Sequence, residues 1–173
     1  DSISTAFLFT VVLFAGSDLS VKAGTISAST TDQAEVTTTT TFTPNDVIFS
    51  AVGHAAWNNT SDAGAAPQVG VAHNGTSIDQ GVVAHQSTDG SSGSVTDGAL
   101  YTTRIGAILS AGALSRSYEL SAFLSDGFKV KSHGTGGQIF GYLALNYGGK
   151  ANSYVAAVAS PTSTGNASNT APG

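Results

Sequence analysis

An all-β protein, an antiparallel β-sandwich of jelly-roll type, is what this sequence predicts, on three observations. Turn-forming dipeptides recur along its 173 residues, among them Asn74-Gly75, Asp89-Gly90, Asp97-Gly98, Asp126-Gly127 and Gly148-Gly149. The intervals between them hold short apolar runs of strand length. The composition, with 21 glycines and abundant Thr, Val and Ser, disfavours helix.

The elements follow in chain order. Phe7–Phe14 is a dense apolar run inside AFLFTVVLFAG (Ala6–Gly16). The leader before it is acidic where a signal peptide is basic, and the run falls far short of the roughly 20 residues of a membrane span. It therefore reads as a buried strand. Further strands are expected at Val21–Ser27, Glu35–Thr41, Asp46–Val52, Gln68–His73, Gly81–Gln86, Thr103–Leu109, Ser117–Phe123, Phe128–Ser132, Ile139–Tyr147 and Tyr154–Val158. In Ser117–Leu124, period-two patterning puts Tyr118, Leu120, Ala122 and Leu124 on one face and Glu119 and Ser121 on the other. Ile139–Leu145 is apolar almost throughout, which predicts cover on both faces. QVGVAHNGTSIDQGVVAHQS is the clearest hairpin, with its tip near Asn74–Asp79. Ile105–Leu114 fits a strand or a short helix, and propensity does not choose between them.

Composition narrows function. A tenth of the residues are charged, against roughly 25% in ordinary soluble domains, so Ser, Thr, Asn, Gln and Gly must make the surface. Such a surface lacks the charge repulsion that keeps proteins apart, and dense lateral packing follows from it. A net charge of −5 with six scattered basic residues argues against nucleic acid. Lys129 and Lys131 share one strand face, but two charges make no phosphate-binding patch. Zero Cys excludes disulfides, thiolate zinc sites and cysteine nucleophiles.

The chain also echoes itself. Phe7–Gly16 lies over Ile139–Gly148 and Ser29–Thr37 over Thr162–Thr170, at an offset of about 132–133 residues. With no Met in the chain, this reads as a piece of a longer, repetitive protein. The expected organisation is an N-terminal strand segment over 1–22, a sandwich domain over 23–158, and a linker or start of a next repeat over 159–173.

The middle of the chain carries a resemblance. FTPNDVIFSAVG (Phe42–Gly53), VGVAHNGTSIDQGVVAHQSTDG (Val69–Gly90) and SDGFKVKSHGTGGQIFGYLALNYGG (Ser125–Gly149) occur in an order similar to that of uncharacterised β-sandwich modules of tailed-bacteriophage structural proteins. Those modules show G-F-x-P-D-x-V-I-F, a Gly/Ala-rich hairpin and a closing D-G-F-x-[LV]…Y-L-A-L-x-G. The chain departs from that pattern at Thr41, where the modules carry Gly before the Phe. The resemblance spans Phe42–Gly149 and implies a virion-surface or extracellular module: a capsid decoration, tail or fibre component. Its motifs shape the fold and carry no chemistry.

Candidate chemistry is sparse. His73 and His85 each follow Val-Ala on adjacent hairpin strands, but a turn near Ser77 separates them along the sheet, too far to share an ion. Neither H-x-H nor H-E-x-x-H occurs. No G-x-S-x-G elbow is present, and only two of the eleven acids are Glu, so neither a nucleophile nor a glycosidic carboxylate pair stands out and no enzyme is expected. No cofactor is expected. Calcium is the one cation considered, held by Asp89, Asp97 and the carbonyls of Gly90–Gly93, or by Asp62 with Asn58 and Asn59, and neither stretch has an EF-hand or nonapeptide pattern. N-x-[ST] sequences at Asn58, Asn59, Asn74 and Asn166 are glycan acceptors in a secreted eukaryotic protein and plain turns otherwise.

Two candidate contact sites remain. Trp57, in a loop with Asn58 and Asn59, is suited to anchor an interface or stack on a sugar. Phe7, Phe9, Val11 and Leu13 are the strand donor expected to add to a neighbour's sheet, since eight mostly apolar residues do not stay exposed. The function expected is therefore structural and non-enzymatic, with assembly by edge pairing or strand exchange. Its partners would be copies of the same chain or other virion and surface proteins, with no nucleic acid and no membrane span. The alternative is a cell-surface adhesin or carbohydrate-binding repeat centred on Trp57.

Overall fold

The structure is a computed structural model and describes residues 16–52, 66–88, 95–110 and 112–148. Ten strands lie among these residues: β1 (Ser20–Ser27), β2 (Glu35–Thr39), β3 (Asp46–Ala51), β4 (Gln68–Asn74), β5 (Ile78–Thr88), β6 (Val95–Tyr101), β7 (Gly106–Ser110), β8 (Ala113–Leu124), β9 (Gly127–His133) and β10 (Ile139–Asn146). They form a six-stranded sheet in the order β1-β10-β3-β4-β5-β6 and a four-stranded sheet in the order β2-β9-β8-β7. All pairings are antiparallel, and the two sheets pack face to face as a β-sandwich. The outer strands wrap as in a jelly roll, with β1 on β10 and β2 on β9 in opposite sheets. The inner strands stay within their sheets as two meanders, β3 to β6 and β7 to β9.

Alternation fixes which residues reach the core. Val47 and Phe49 of β3, Ala72 of β4, Val82 and Ala84 of β5, and Phe140, Tyr142 and Ala144 of β10 point inward from the large sheet. Tyr118 and Leu120 of β8 and Phe128 and Val130 of β9 meet them from the small one. The aromatics form a chain of edge-to-face contacts that crosses between the sheets. Tyr118 lies 5.2 Å from Phe140, Phe140 6.0 Å from Phe49, Phe49 5.7 Å from Phe128, and Phe128 5.2 Å from Tyr142. Each such contact is worth about 0.5–1.5 kcal/mol beyond its buried area.

Several expectations need correcting. Asp97-Gly98 is not a turn: both residues sit inside β6, opposite Gln86 and His85. The strand was unread because its dipeptide mimics a hairpin tip. Ile105–Leu114 forms no helix; it contains β7, a turn and the start of β8. The alternation expected along Ser117–Leu124 holds only to Leu120. There the register slips by one residue, Leu120 facing Val130 and Ala122 facing Lys129, which is a β-bulge at Ser121. Beyond it Phe123, opposite Phe128, turns toward the core in place of Ala122 and Leu124. Ile139–Leu145 is covered fully on its inner face, while Ile139, Gly141 and Leu143 on the outer face are only half-buried.

The connection from β6 to β7 shapes the candidate site. β6 ends at Tyr101, and the chain then dives from the large sheet into the small one. Ile105 is fully buried there, its N–H donating to the Tyr118 carbonyl at 2.8 Å. It runs so close behind β4 that a Cβ added at Gly70 would strike the Ile105 carbonyl, so glycine is required by packing.

Candidate assembly surface

The outer face of the large sheet is unusually apolar for a face with no second layer upon it among the described residues. Register places Ala23, Leu143, Ile48, Val71 and Gly81 in one row across β1, β10, β3, β4 and β5. The next row contains Val69, Val83 and Leu100 on three adjacent strands, each directly opposite the next. These three side chains are 56%, 61% and 52% exposed, which makes them a contiguous patch and not isolated surface residues. Antiparallel sheets with one solvated face carry polar residues there, and this face departs from that pattern.

Beside the patch the sheet has a notch. β5 pairs with β4 from Ile78 onward but with β6 only from Val82, because β6 stops at Tyr101. Ile78–Gly81 therefore has no strand on its β6 side among the described residues. The step opens a groove of about 300 Å³, floored by Val69, Val71, Val83 and Leu100 and bounded by Gly81 and Thr102. Unpaired strand backbone next to an apolar floor is what an added strand needs. Gln80 stiffens this corner: its side-chain Oε1 accepts from the Leu120 N–H at 2.9 Å and its Nε2 donates to the Leu120 carbonyl at 3.3 Å. Gln68 makes a second bridge between the sheets, accepting at 2.7 Å from the Ala107 N–H of β7.

The expected donor, Phe7, Phe9, Val11 and Leu13, lies outside the described residues, and so do Trp57, Asn58 and Asn59. Of the calcium candidates, Asp62, Asp89 and the Gly90–Gly93 carbonyls also lie outside them. Asp97 is within them, where its Oδ2 accepts from the Gly112 N–H at 2.8 Å. Among the described residues no group of His and carboxylates is arranged to hold a metal ion.

The described histidines, His73, His85 and His133, lie apart on β4, β5 and β9. The β4–β5 hairpin turns over Gly75–Ser77, so His73 faces Asp79, and His85 bonds through its N–H to the Pro67 carbonyl. That sets the two rings farther apart than a turn at Ser77 would. His73 Nδ1 lies 2.8 Å from Asp46 Oδ1, and Tyr147 donates its hydroxyl to the other oxygen of Asp46. His133 Nε2 lies 3.0 Å from Glu119 Oε2.

The four-stranded sheet presents a different outer face. Glu119 collects Arg104 at 3.1 Å and Lys131 at 4.0 Å besides His133, and Lys129 pairs with Glu35 at 3.1 Å. Lys129 and Lys131 do share a face, as expected, and both are answered by carboxylates. Nearby, the Gly134 N–H donates to Asp32 and holds that carboxyl below its ordinary range.

No helix long and apolar enough to cross a membrane occurs among the described residues. Compared with protein-family models, with curated proteins and with solved structures, the chain finds no match in any of the three.

Proposed function

We propose that this protein is a non-enzymatic structural module of a virion surface or extracellular fibre, and that it assembles with copies of itself by β-strand addition. The observation that carries the reading is the outer face of the large sheet, where Val69, Val83 and Leu100 stand more than half exposed beside a stretch of β5 that has no strand on its β6 side among the described residues. The sparse charge of the sequence removes the repulsion that would oppose close packing of copies. The apolar run Phe7–Phe14 supplies a strand of suitable chemistry, and the phage-module pattern over Phe42–Gly149 supports the virion setting. Thr41 adds a physical point in its favour: its backbone takes φ 75°, a conformation natural to the Gly of that pattern.

Deleting Asp1–Gly16 tests the reading. The full chain is expected to form dimers or larger species by light scattering, and the shortened chain to stay folded, soluble and monomeric. Assembly that persists unchanged without those residues removes the donor from the scheme.

A further inference from the structure

We infer that the acceptor for the apolar run Phe7–Phe14 is the notch beside Ile78–Gly81 of a second copy, with Val69, Val83 and Leu100 as its floor. This rests on the strand-addition reading above and adds the site to it. Among the described residues, β1 and β6 bound the large sheet and β2 and β7 the small one. The lines of β6 and β7 both stop short. Beyond β7 the Leu120 backbone of β8 is taken by the Gln80 side chain, and no large apolar side chain is exposed there. Beyond β6 the β5 backbone has no partner strand among the described residues and lies next to exposed Val69, Val83 and Leu100. Strand addition draws affinity from main-chain hydrogen bonds and specificity from side-chain pockets, and both ingredients meet here. The notch takes about four residues of the donor in strand pairing, and the floor takes the side chains that follow.

The strand-addition reading makes the donor a second copy's, and chain reach limits which residues a copy can place in its own notch. Ser20 pairs with Asn146, which places it in the row that runs through Asn74 and ends at Ile78. From β1 to the empty position beyond β5 is five strand spacings, about 24 Å. The Leu19 N–H donates to the Gly16 carbonyl at 3.3 Å, so residues 16–19 fold into a turn that spans at most about 7 Å. Adding the few residues on either side at about 3.8 Å each brings Phe14 no more than roughly 18 Å from Ser20. Leu13 and Phe14 therefore fall short of the chain's own notch, whereas the whole run of a neighbour is under no such limit.

The chain has no Cys, so single cysteines report contacts cleanly. Full-length Phe9→Cys and Val11→Cys, which between them cover the pairing register, are each mixed with full-length Leu100→Cys and oxidised. A parallel mixture uses Thr37→Cys on β2, an exposed position at the edge of the small sheet. Docking raises the effective concentration of the paired thiols, so the Leu100 mixtures are expected to yield disulfide-linked dimer at least about tenfold faster than the Thr37 mixtures. Equal or faster crosslinking at Thr37 overturns the acceptor assignment while strand donation stands. No crosslinking in any mixture, together with a monomeric full-length chain, overturns strand donation itself.

Discussion

Thr41 sits where the backbone reverses between β2 and β3, at φ 75°. The reversal is imposed from outside: the Asp126 carbonyl accepts from the N–H groups of both Thr40 and Thr41, at 2.6 and 3.1 Å. The buried Thr40 hydroxyl then donates to the Phe42 carbonyl at 2.6 Å. A β-branched residue held in the left-handed region costs about 1–2 kcal/mol, because Cβ crowds its own carbonyl. Glycine removes that cost and returns part of it through the entropy of the unfolded chain, about 0.5–1 kcal/mol. Thr41→Gly is thus expected to stabilise the protein by roughly 0.5–1 kcal/mol, read as a higher urea midpoint at unchanged slope. A lower midpoint would mean that the exposed Thr41 side chain makes a stabilising contact.

At the scale of elements, two glutamines hold the sheets together at the open corner. Gln80 satisfies both backbone groups of Leu120 next to the β8 bulge, where the ladder to β9 slips. Truncation leaves a donor and an acceptor at that irregularity without partners, at about 1–3 kcal/mol for a buried group. Gln80→Ala is expected to lower stability by roughly 2 kcal/mol, with faster amide exchange at Leu120 than at the regularly paired Val130. Unchanged exchange at Leu120 would show that the bridge contributes nothing. Such features explain how far the sequence could be read. Strands with plain alternation and turn residues at their ends, such as β3, β4 and β9, were legible. β6 was not, because Asp97-Gly98 is turn chemistry used inside a strand, with the Asp97 carboxylate accepting from Gly112. The bulge at Ser121 was not legible either, since an inserted residue changes the face of those that follow without altering composition. The apolar patch left a trace that was passed over. In the hairpin around β4 and β5, Val69, Val71 and Val83 occupy one parity while Gly70, Ala72, Val82 and Ala84 occupy the other. A strand pair apolar on both faces needs two covers. Among the described residues the sandwich supplies only one.

At the scale of the whole molecule, the aromatic chain linking the sheets contains two phenols that tie stability to alkaline pH. Burial pushes Tyr118 and Tyr142 above the ordinary tyrosine value of 10.0. Tyr118 stacks on Phe140 and donates its hydroxyl to the Gly136 carbonyl at 2.9 Å, so its neutral form is the one that fits. Below about pH 10 both phenols are protonated in the folded and unfolded chains alike, and they lend no pH dependence. As pH rises past that point the unfolded chain loses these protons first. Stability is then lost from about pH 10 upward, until the folded phenols ionise too. Tyr118→Phe separates this effect from packing: at neutral pH it loses one hydrogen bond, about 1 kcal/mol, while retaining the ring against Phe140. Above pH 10 its stability is expected to fall less steeply than that of the unaltered chain, so that the two urea midpoints converge. Midpoints that stay parallel across that range would place the alkaline response outside Tyr118.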